Sequence, residues 1–389
     1  MAGAVTLHRG RLLWFVRAPA DGRDKDSYRY EEDGALVCRD GLIAWSGAWA
    51  DLPDEFVRAE RFDHRPHLLM PGFIDPHLHF PQSQVIASYA GSLLEWLNNY
   101  TFIEEQRYGD PNFAGAMADR FIDMLLQHGT TTAVAFASVH AVSASALLGA
   151  ALARNVRLIT GKVMMDRNAP DALLDTAQTG YDDTISLIEN FHGKGRVSVA
   201  ITPRFALTST EAQMEASGAL AAAYPDCLVQ THLSENHAEI ETVMALYPWA
   251  KDYTDVYDRY GLLTDKALMG HSIHLSDRET ARMAETGAVA VFCPTSNTFL
   301  GSGLFDRERL AQAGVRTAIA TDIGGGTSWS MLATLGEGYK VLNLQGQRWH
   351  PLHSFWQATL GNAQALGMAD KIGTLEAGSE ADFVVLDAA

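Results

Sequence analysis

The feature that most constrains the fold is an alternation of apolar, strand-like runs with helical stretches, which begins at Leu68. Eight such strands can be counted, at 68–76, 129–137, 157–165, 196–204, 227–233, 267–273, 288–294 and 316–323. Eight β/α units in succession predict an α/β fold, a TIM-type (β/α)8 barrel, whose strands all point their carboxyl ends at one face. The predicted barrel domain covers residues 68–369.

Both ends of the chain have a different character from the barrel. Residues 5–66 alternate apolar and polar positions, and the dipeptides Asp33-Gly34 and Asp40-Gly41 favour tight hairpin turns. Short-strand character returns near the C-terminus, at 382–386. We therefore predict a small discontinuous β module, built from 1–67 and 370–389, with the barrel inserted between its halves.

Two of the predicted helices carry clear start signals. In Thr208-Ser209-Thr210-Glu211 and in Ser276-Asp277-Arg278-Glu279, a hydroxyl residue precedes a Glu by three positions, which predicts a hydroxyl cap answered by that Glu. Gly287 predicts the end of the second helix.

Composition excludes several classes of protein. The 389 residues are 47% hydrophobic and 20% charged, which is typical of a compact globular chain. A net charge of -17 disfavours binding to a nucleic-acid backbone. No apolar run approaches the roughly 18 to 20 residues of a membrane helix, and no secretory signal is recognised, so we expect a cytoplasmic protein. The three cysteines, Cys38, Cys227 and Cys293, are far apart, which argues against a disulfide framework.

Metal-ligand residue types cluster at the predicted strand ends. His77 and His79 are two residues apart, so they share one face of a strand and can hold one ion together. A lone His-x-His is weak evidence, but His232, His271 and Asp322 each follow a later strand. Imidazole nitrogens with one carboxylate suit zinc or another divalent transition metal and leave a position for water. The pattern predicts a hydrolytic metal site.

Longer blocks of sequence carry a resemblance to a known family. They are Pro71-Gly72-Phe73-Ile74-Asp75-Pro76-His77-Leu78-His79, His79-Phe80-Pro81-Gln82, Leu94-Glu95-Trp96-Leu97, Tyr100-Thr101-Phe102, Thr202-Pro203-Arg204-Phe205, Leu246-Tyr247-Pro248, Tyr253-Thr254-Asp255-Val256-Tyr257-Asp258 and Cys293-Pro294-Thr295-Ser296-Asn297. With these blocks the chain resembles the single-metal deaminase branch of the amidohydrolase superfamily, and within it the family that deaminates guanine. The match runs across nearly the whole barrel.

The resemblance implies a catalytic apparatus. The implied ligands of one zinc ion are His77, His79, His232 and Asp322. Glu235 is the implied general acid/base, and Asp322 moves protons between the attacking water and the departing amino group. His271 stabilises charge in the adduct, although a fifth metal ligand or a purely structural histidine is an alternative for this residue.

The resemblance also implies guanine as the small-molecule substrate. Arg204 offers a fork of donors for the purine carbonyl, and Gln82 offers both a donor and an acceptor. Phe205 could stack on the ring, with a core position as the alternative; for Arg204 the alternative is a salt bridge on the barrel rim. Trp96 lies in the long segment 80–112, which predicts a pocket wall or lid, or packing at a subunit interface.

Other readings concern metal number, assembly and substrate. Lys162 could carry a metal-bridging modification, but branches that use one more often place it at the end of strand four, where this chain has Arg204, so a single metal is expected. The resemblance implies a homodimer. The family usually continues beyond the segment 382–386, so we expect the β module to be incomplete at its C-terminal side.

Two other functions compete with guanine deamination. One is a hydrolase that acts on another purine, pterin, pyrimidine or triazine ring, and the other is a non-catalytic scaffold.

Overall fold

The computed structural model describes residues 4–387, and strands alternate with helices through this range. The strands are β1 (Val5–Phe15), β2 (Tyr28–Arg39), β3 (Leu42–Ala48), β4 (Glu60–Pro71), β5 (Phe73–His79), β6 (Thr130–Phe136), β7 (Arg157–Gly161), β8 (Val163–Met164), β9 (Val197–Val199), β10 (Thr202–Pro203), β11 (Val229–Leu233), β12 (Ala267–His271), β13 (Val289–Phe292), β14 (Arg316–Ile319) and β15 (Phe383–Leu386).

The α-helices complete the order of elements. They are α1 (Leu93–Trp96), α2 (Phe102–Glu105), α3 (Pro111–Gln127), α4 (Ala141–Ala153), α5 (Ala177–Phe191), α6 (Glu211–Ala223), α7 (His237–Leu246), α8 (Tyr253–Arg259), α9 (Asp277–Thr286), α10 (Pro294–Phe299), α11 (Arg307–Gln312), α12 (Met331–Leu344), α13 (Pro351–Trp356) and α14 (Asn362–Ala365). No helix between residues 4 and 387 combines the length and apolarity needed to cross a lipid bilayer.

The chain divides into two compact units. One comprises residues up to 74, 129–131 and from 349 onward, and it contains a five-stranded sheet of order β15-β4-β1-β2-β3. Strands β1 and β4 pair in parallel, whereas β1–β2, β2–β3 and β4–β15 are antiparallel. One face of this sheet buries a cluster around Leu12, Trp14, Leu36 and Leu69. Strands from both ends of the chain thus share one sheet.

The two predicted hairpin turns have different outcomes. Asp40 and Gly41 join β2 to β3 with φ of 54° and 78°, the left-handed conformation of a tight turn. Asp33 and Gly34 instead lie inside β2, so that turn prediction is wrong. A Cβ on Gly34 would meet the side chain of Leu12 at 2.5 Å, so glycine here allows close packing across the sheet rather than a turn.

The first predicted barrel strand, 68–76, belongs to two strands of the structure. Residues up to Pro71 continue β4 and pair with β15, and β5 begins only at Phe73. Gly72 separates them, and a Cβ at this position would lie 2.0 Å from Oγ1 of Thr131. The strand that carries His77 and His79 therefore starts later than the apolar run suggests.

The second unit, residues 75–128 and 132–348, is of the α/β class. Its strands form two four-stranded sheets, β5-β6-β7-β9 and β11-β12-β13-β14, and the short pair β8-β10. Neighbours from β6 to β9 and from β11 to β14 run parallel. Parallel strands put their carboxyl ends at one edge of each sheet. This arrangement positions the residues that follow β5, β11, β12 and β14.

The helix signals are partly confirmed. Ser276 caps α9 in a reciprocal capping box with Glu279, and Gly287 ends that helix with φ of 72°. Helix α6 starts later than predicted, because Thr210 is its N-cap and accepts from the main-chain N–H of Gln213. Thr210 Oγ1 also donates to Asp166, which fixes this residue as the cap.

Candidate metal and substrate site

Four of the predicted ligands converge at the carboxyl ends of the parallel strands. Oδ1 of Asp322 lies 3.4 Å from Nε2 of His77 and 3.2 Å from Nε2 of His79. Nε2 of His232 lies 3.2 Å from Nε2 of His79. Within residues 4–387, neither Nε2 of His77 nor Oδ1 of Asp322 has a hydrogen-bond partner, although both atoms are buried. Buried polar atoms left this way are costly, and a cation would satisfy all of them.

The electrostatics of the cluster suit a cation as well. Burial lowers the pKa of His79 to about 4, and burial together with the neighbouring imidazoles lowers the pKa of His232 well below its usual value. Burial opposes ionisation of Asp322, but the adjacent rings of His77 and His79 hold its pKa well below the usual range. Neutral imidazoles and an ionised carboxylate are the forms that bind metal.

A hydrogen bond on the side of the ring away from the cluster orients His232. Its Nδ1–H donates to the main-chain oxygen of Arg204 at 2.7 Å, so the lone pair on Nε2 faces the cluster. Metal-binding histidines commonly have such a partner on the second nitrogen, which fixes the tautomer and the plane of the ring.

Gly270 makes room for His77. A Cβ on Gly270, in β12, would lie 2.5 Å from Cε1 of His77 and 3.0 Å from its Nδ1. Any larger residue at this position would therefore have to displace the imidazole ring. Two neighbouring residues thus contribute to the site: Gly270 leaves space for His77, and His271 lines the pocket.

Several residues of the site adopt the left-handed backbone conformation without being glycine. They are Ser234 (φ 49°), His271 (φ 67°), Ser272 (φ 50°) and Asp322 (φ 52°). Such conformations cost about 1–3 kcal/mol each and persist where the surrounding structure imposes them. Here Ser234, His271 and Ser272 end or directly follow a parallel strand, and Asp322 lies shortly after β14.

Glu235 and His271 stand beside the cluster. Oε2 of Glu235 is 3.4 Å from Nε2 of His271, and its Oε1 accepts from Oγ of Ser302 at 2.9 Å. Burial, and then the charge of Asp322, raises the pKa of Glu235 to about 8. Nδ1 of His271 donates to Oδ1 of Asn297 at 2.9 Å, which leaves Nε2 facing the site. The pair can therefore hold or exchange a proton next to the cluster.

A pocket of about 370 Å³ opens onto these groups. Its lining includes the predicted residues His79, Gln82, Trp96, Arg204, Phe205, His232, Glu235, His271 and Asp322. His77 lies deeper and does not line the cavity. The predicted substrate residues thus share one cavity with three of the four predicted ligands.

Some contributors were not predicted from the sequence. Leu93, Leu97, Leu300 and Gly325 complete the lining, while Glu105, Asn297 and Ser302 hydrogen-bond to residues that line it. A strand-end rule finds only groups that directly follow a strand, and these residues lie on helices and loops. For Asn297, the block Cys293-Pro294-Thr295-Ser296-Asn297 was a signal, but one without an assigned role.

Two further candidates stay outside the ligand set. Lys162 is buried and forms an ion pair with Asp175, so its amine is already occupied. Cys293 offers Sγ within 4.8 Å of ligand atoms on His77, His271 and Asp322. Burial raises the pKa of its thiol well above the usual value, which opposes the thiolate form that binds metal.

Comparison with known proteins identifies the family of the chain. Residues 68–389 match the amidohydrolase family. Over its whole length the chain is 48% identical to a guanine deaminase of Escherichia coli (strain K12), covering 89% of that protein. The solved structure of E. coli guanine deaminase superposes with a TM-score of 0.94, at 45% identity, over 98% of this chain and 88% of that one.

A second solved structure carries a ligand. Guanine deaminase from C. acetobutylicum, with guanine bound in its active site, matches with a TM-score of 0.90 and 30% identity, covering 98% of this chain and 91% of that one. The chain belongs to the amidohydrolase family. The predicted class of hydrolytic deaminase is confirmed by the identity to these enzymes.

Proposed function

We propose that this protein is a zinc-dependent deaminase that converts guanine to xanthine and ammonia. One observation carries the proposal: buried, unsatisfied ligand atoms of His77 and Asp322 belong to a cluster that opens onto a pocket lined by Arg204 and Gln82. The identity to guanine deaminases and the guanine-bound relative support the choice of substrate.

The donor set fits a single metal ion. Three imidazole nitrogens and one carboxylate oxygen, from His77, His79, His232 and Asp322, would hold it. Nitrogen ligands with one hard oxygen favour zinc over calcium or magnesium. Bound zinc lowers the pKa of water from about 15.7 to about 7, so it supplies a nucleophile at neutral pH. The ion pair of Lys162 supports one ion rather than two.

The chain's own residues move the protons. A water oxygen forms a bond to the amino-bearing ring carbon, and the bond from that carbon to the amino nitrogen breaks. Glu235 passes a proton to the adjacent ring nitrogen, and burial, which raises the pKa of this carboxyl, favours the protonated form that the step requires. Asp322 takes one proton from the water and passes it to the amino group, so that ammonia leaves. The second proton of the water passes to Glu235 as the new ring carbonyl forms, which restores the acid. His271 stabilises charge in the tetrahedral adduct.

The other side of the pocket would recognise the purine. Arg204 presents donors for the carbonyl oxygen, and Gln82 contacts a ring nitrogen and its neighbour. Phe205 and Trp96, both almost fully buried, would enclose the flat faces of the ring. The combination favours a ring that carries an exocyclic oxygen as well as an amino group.

We also propose how the chain is organised. The parallel strands would form a closed (β/α)8 barrel; the bridge between Ile201 and Val229 and the hydrogen bond from Asp322 N to His77 O (2.9 Å) support closure between the two sheets. Residues 68–369 would be the catalytic domain, and 1–67 with 370–389 the β module. A homodimer and a cytoplasmic location stay predictions.

The decisive test is a substrate panel. Purified, zinc-loaded protein is assayed for ammonia release from guanine, adenine, cytosine, a pterin and an aminotriazine, with xanthine formation followed by absorbance. Guanine should be by far the best substrate. Equal or faster release from another ring would refute the assignment to guanine, and failure to act on any ring would refute the deaminase function.

A further inference from the structure

A buried carboxylate joins the two groups that would recognise the purine. Glu105, at the end of α2, is 1% exposed. Its Oε2 accepts from Nη1 of Arg204 at 2.6 Å, and its Oε1 accepts from Nε2 of Gln82 at 3.0 Å. Each oxygen therefore holds one of the two residues. This side chain is not among the lining residues of the pocket, so it acts through the residues that are.

Only a carboxylate can serve both partners. The Arg204 guanidinium and the Gln82 amide nitrogen are both donors, so the residue between them must accept twice. An amide at position 105 would turn its NH2 group toward one of these donors. The carboxylate also balances the charge of Arg204, which is itself only 3% exposed and would be costly to bury alone.

The same contacts fix the orientation of Gln82. Because Nε2 donates to Glu105, the amide oxygen points the other way, where it accepts from the main-chain N–H of Gly324 at 3.2 Å. The two ends of the amide are therefore not interchangeable. The donor and acceptor that Gln82 shows to a ligand are set by Glu105 on one side and by Gly324 on the other.

Arg204 is held in a similar way. One donor on Nη1 is committed to Glu105, which leaves the other guanidinium donors for a ligand. The ring of Phe102, in the same helix as Glu105, lies under the guanidinium at 5.4 Å from its centroid. Helix α2 thus supplies both the ion-pair partner and a face on which the guanidinium plane rests.

We propose that Glu105 is a positioning residue that sets the preference of the site for a purine bearing a carbonyl oxygen as well as the amino group. The inference rests on the proposed function. Glu105 holds the Arg204 guanidinium in one position and the Gln82 amide in one orientation, so that both side chains contact the same edge of the ring. A misplacement of about 1 Å in such a group can cost about 10²-fold in rate.

The test compares guanine with 2-aminopurine, which has the same amino-bearing carbon but lacks the carbonyl oxygen. Glu105→Gln keeps the size of the side chain and removes one acceptor. We expect its guanine preference, measured as the ratio of kcat/KM values, to fall at least about tenfold, chiefly through a higher KM for guanine. Metal content and activity on 2-aminopurine should change far less.

Glu104→Gln is the matched control. Glu104 is the neighbouring carboxylate in α2 and pairs with Arg107 at 2.8 Å, away from the pocket. This variant loses one charge from the same helix, as Glu105→Gln does. It should retain the wild-type preference for guanine.

Glu105→Asp covers the case in which Glu105→Gln does not fold. It keeps the charge that balances Arg204, but its shorter side chain cannot reach both partners, so the preference should still fall. The inference is overturned if both variants keep the wild-type ratio, if both substrates lose activity equally, or if neither variant folds. Wild-type protein that does not deaminate guanine would instead overturn the proposed function.

Discussion

The main-chain oxygen of Arg204 accepts a hydrogen bond from Nδ1 of His232 at 2.7 Å, while the Arg204 side chain lines the pocket. One residue therefore supports a predicted metal ligand with its backbone and the predicted substrate site with its guanidinium. Substitution of the side chain leaves the backbone oxygen in place. The two roles can consequently be separated by mutation.

Arg204→Lys should abolish the preference for guanine without loss of metal. A lysine ammonium is a point charge and cannot reproduce the planar fork, and sites built around a substrate hydrogen bond can reject analogues by about 10⁴ to 10⁵. We expect guanine kcat/KM to fall at least about 10²-fold, with an unchanged metal-to-protein ratio. Arg204→Ala should behave alike. An intact guanine preference in either variant would contradict the role of the guanidinium.

Purified protein should contain about one zinc-like ion per chain, bound by three imidazoles and one carboxylate. Elemental analysis measures the ratio directly. Dialysis against a chelator should remove activity, and one equivalent of Zn²⁺ should restore it. Two ions per chain would rule out the single-metal site. A ratio below about a tenth that cannot be raised by reloading would favour a non-catalytic scaffold.

Glu235→Gln should lower turnover at least about 100-fold while the metal is retained. The amide keeps the size of the side chain and can still accept from Ser302 Oγ, which lies 2.9 Å from Oε1 of Glu235. It cannot, however, transfer a proton. Single-turnover rates with guanine, read beside metal content, measure the effect. Near-normal turnover would show that another group is the acid.

Gly270→Ala should weaken metal binding although Gly270 ligates nothing. The added Cβ would sit 2.5 Å from Cε1 of His77 and push the ring out of line, so affinity should fall about 10- to 100-fold, as is typical when groups that orient a ligand are changed. Competition with a chromophoric chelator gives the affinity.

Gly336→Ala is the control for this substitution. Gly336 lies within α12, and among the described residues the added Cβ would meet nothing within 4 Å apart from its chain neighbours and the backbone of its own helix. The alanine should keep metal affinity and raise stability by about 0.5–1 kcal/mol. Equal affinities for the two variants would mean that the space beside His77 is not needed.

The sequence allowed the α/β alternation and the meeting of the strand-end residues to be predicted, because both follow from local patterns. Apolar runs define strands, and parallel strands bring their carboxyl ends together. His77 and Asp322 are adjacent in the structure for this reason. Gly72 and Gly34 were harder to interpret, because each is required by a side chain, of Thr131 or Leu12, that is distant in sequence.

The role of Glu105 could not be predicted from the sequence. Glu105 stands beside Glu104 in the same helix. Nothing in the local sequence shows that Glu104 pairs with the exposed Arg107 whereas Glu105 holds Arg204 and Gln82. Side-chain partners a hundred residues apart are set by packing. Ser302, in a loop, donates to Glu235, and this contact could not be predicted for the same reason.

The residues with a left-handed backbone conformation at the strand ends affect how the thermal stability of this protein could be raised. Ser234, His271, Ser272 and Asp322 hold conformations that an L-residue adopts only at some expense in stability. Substitutions that raise heat resistance could therefore act beside the pocket, by removing this strain. Any gain there would loosen the groups that face the substrate, so thermal improvement of this chain is better sought in its outer helices.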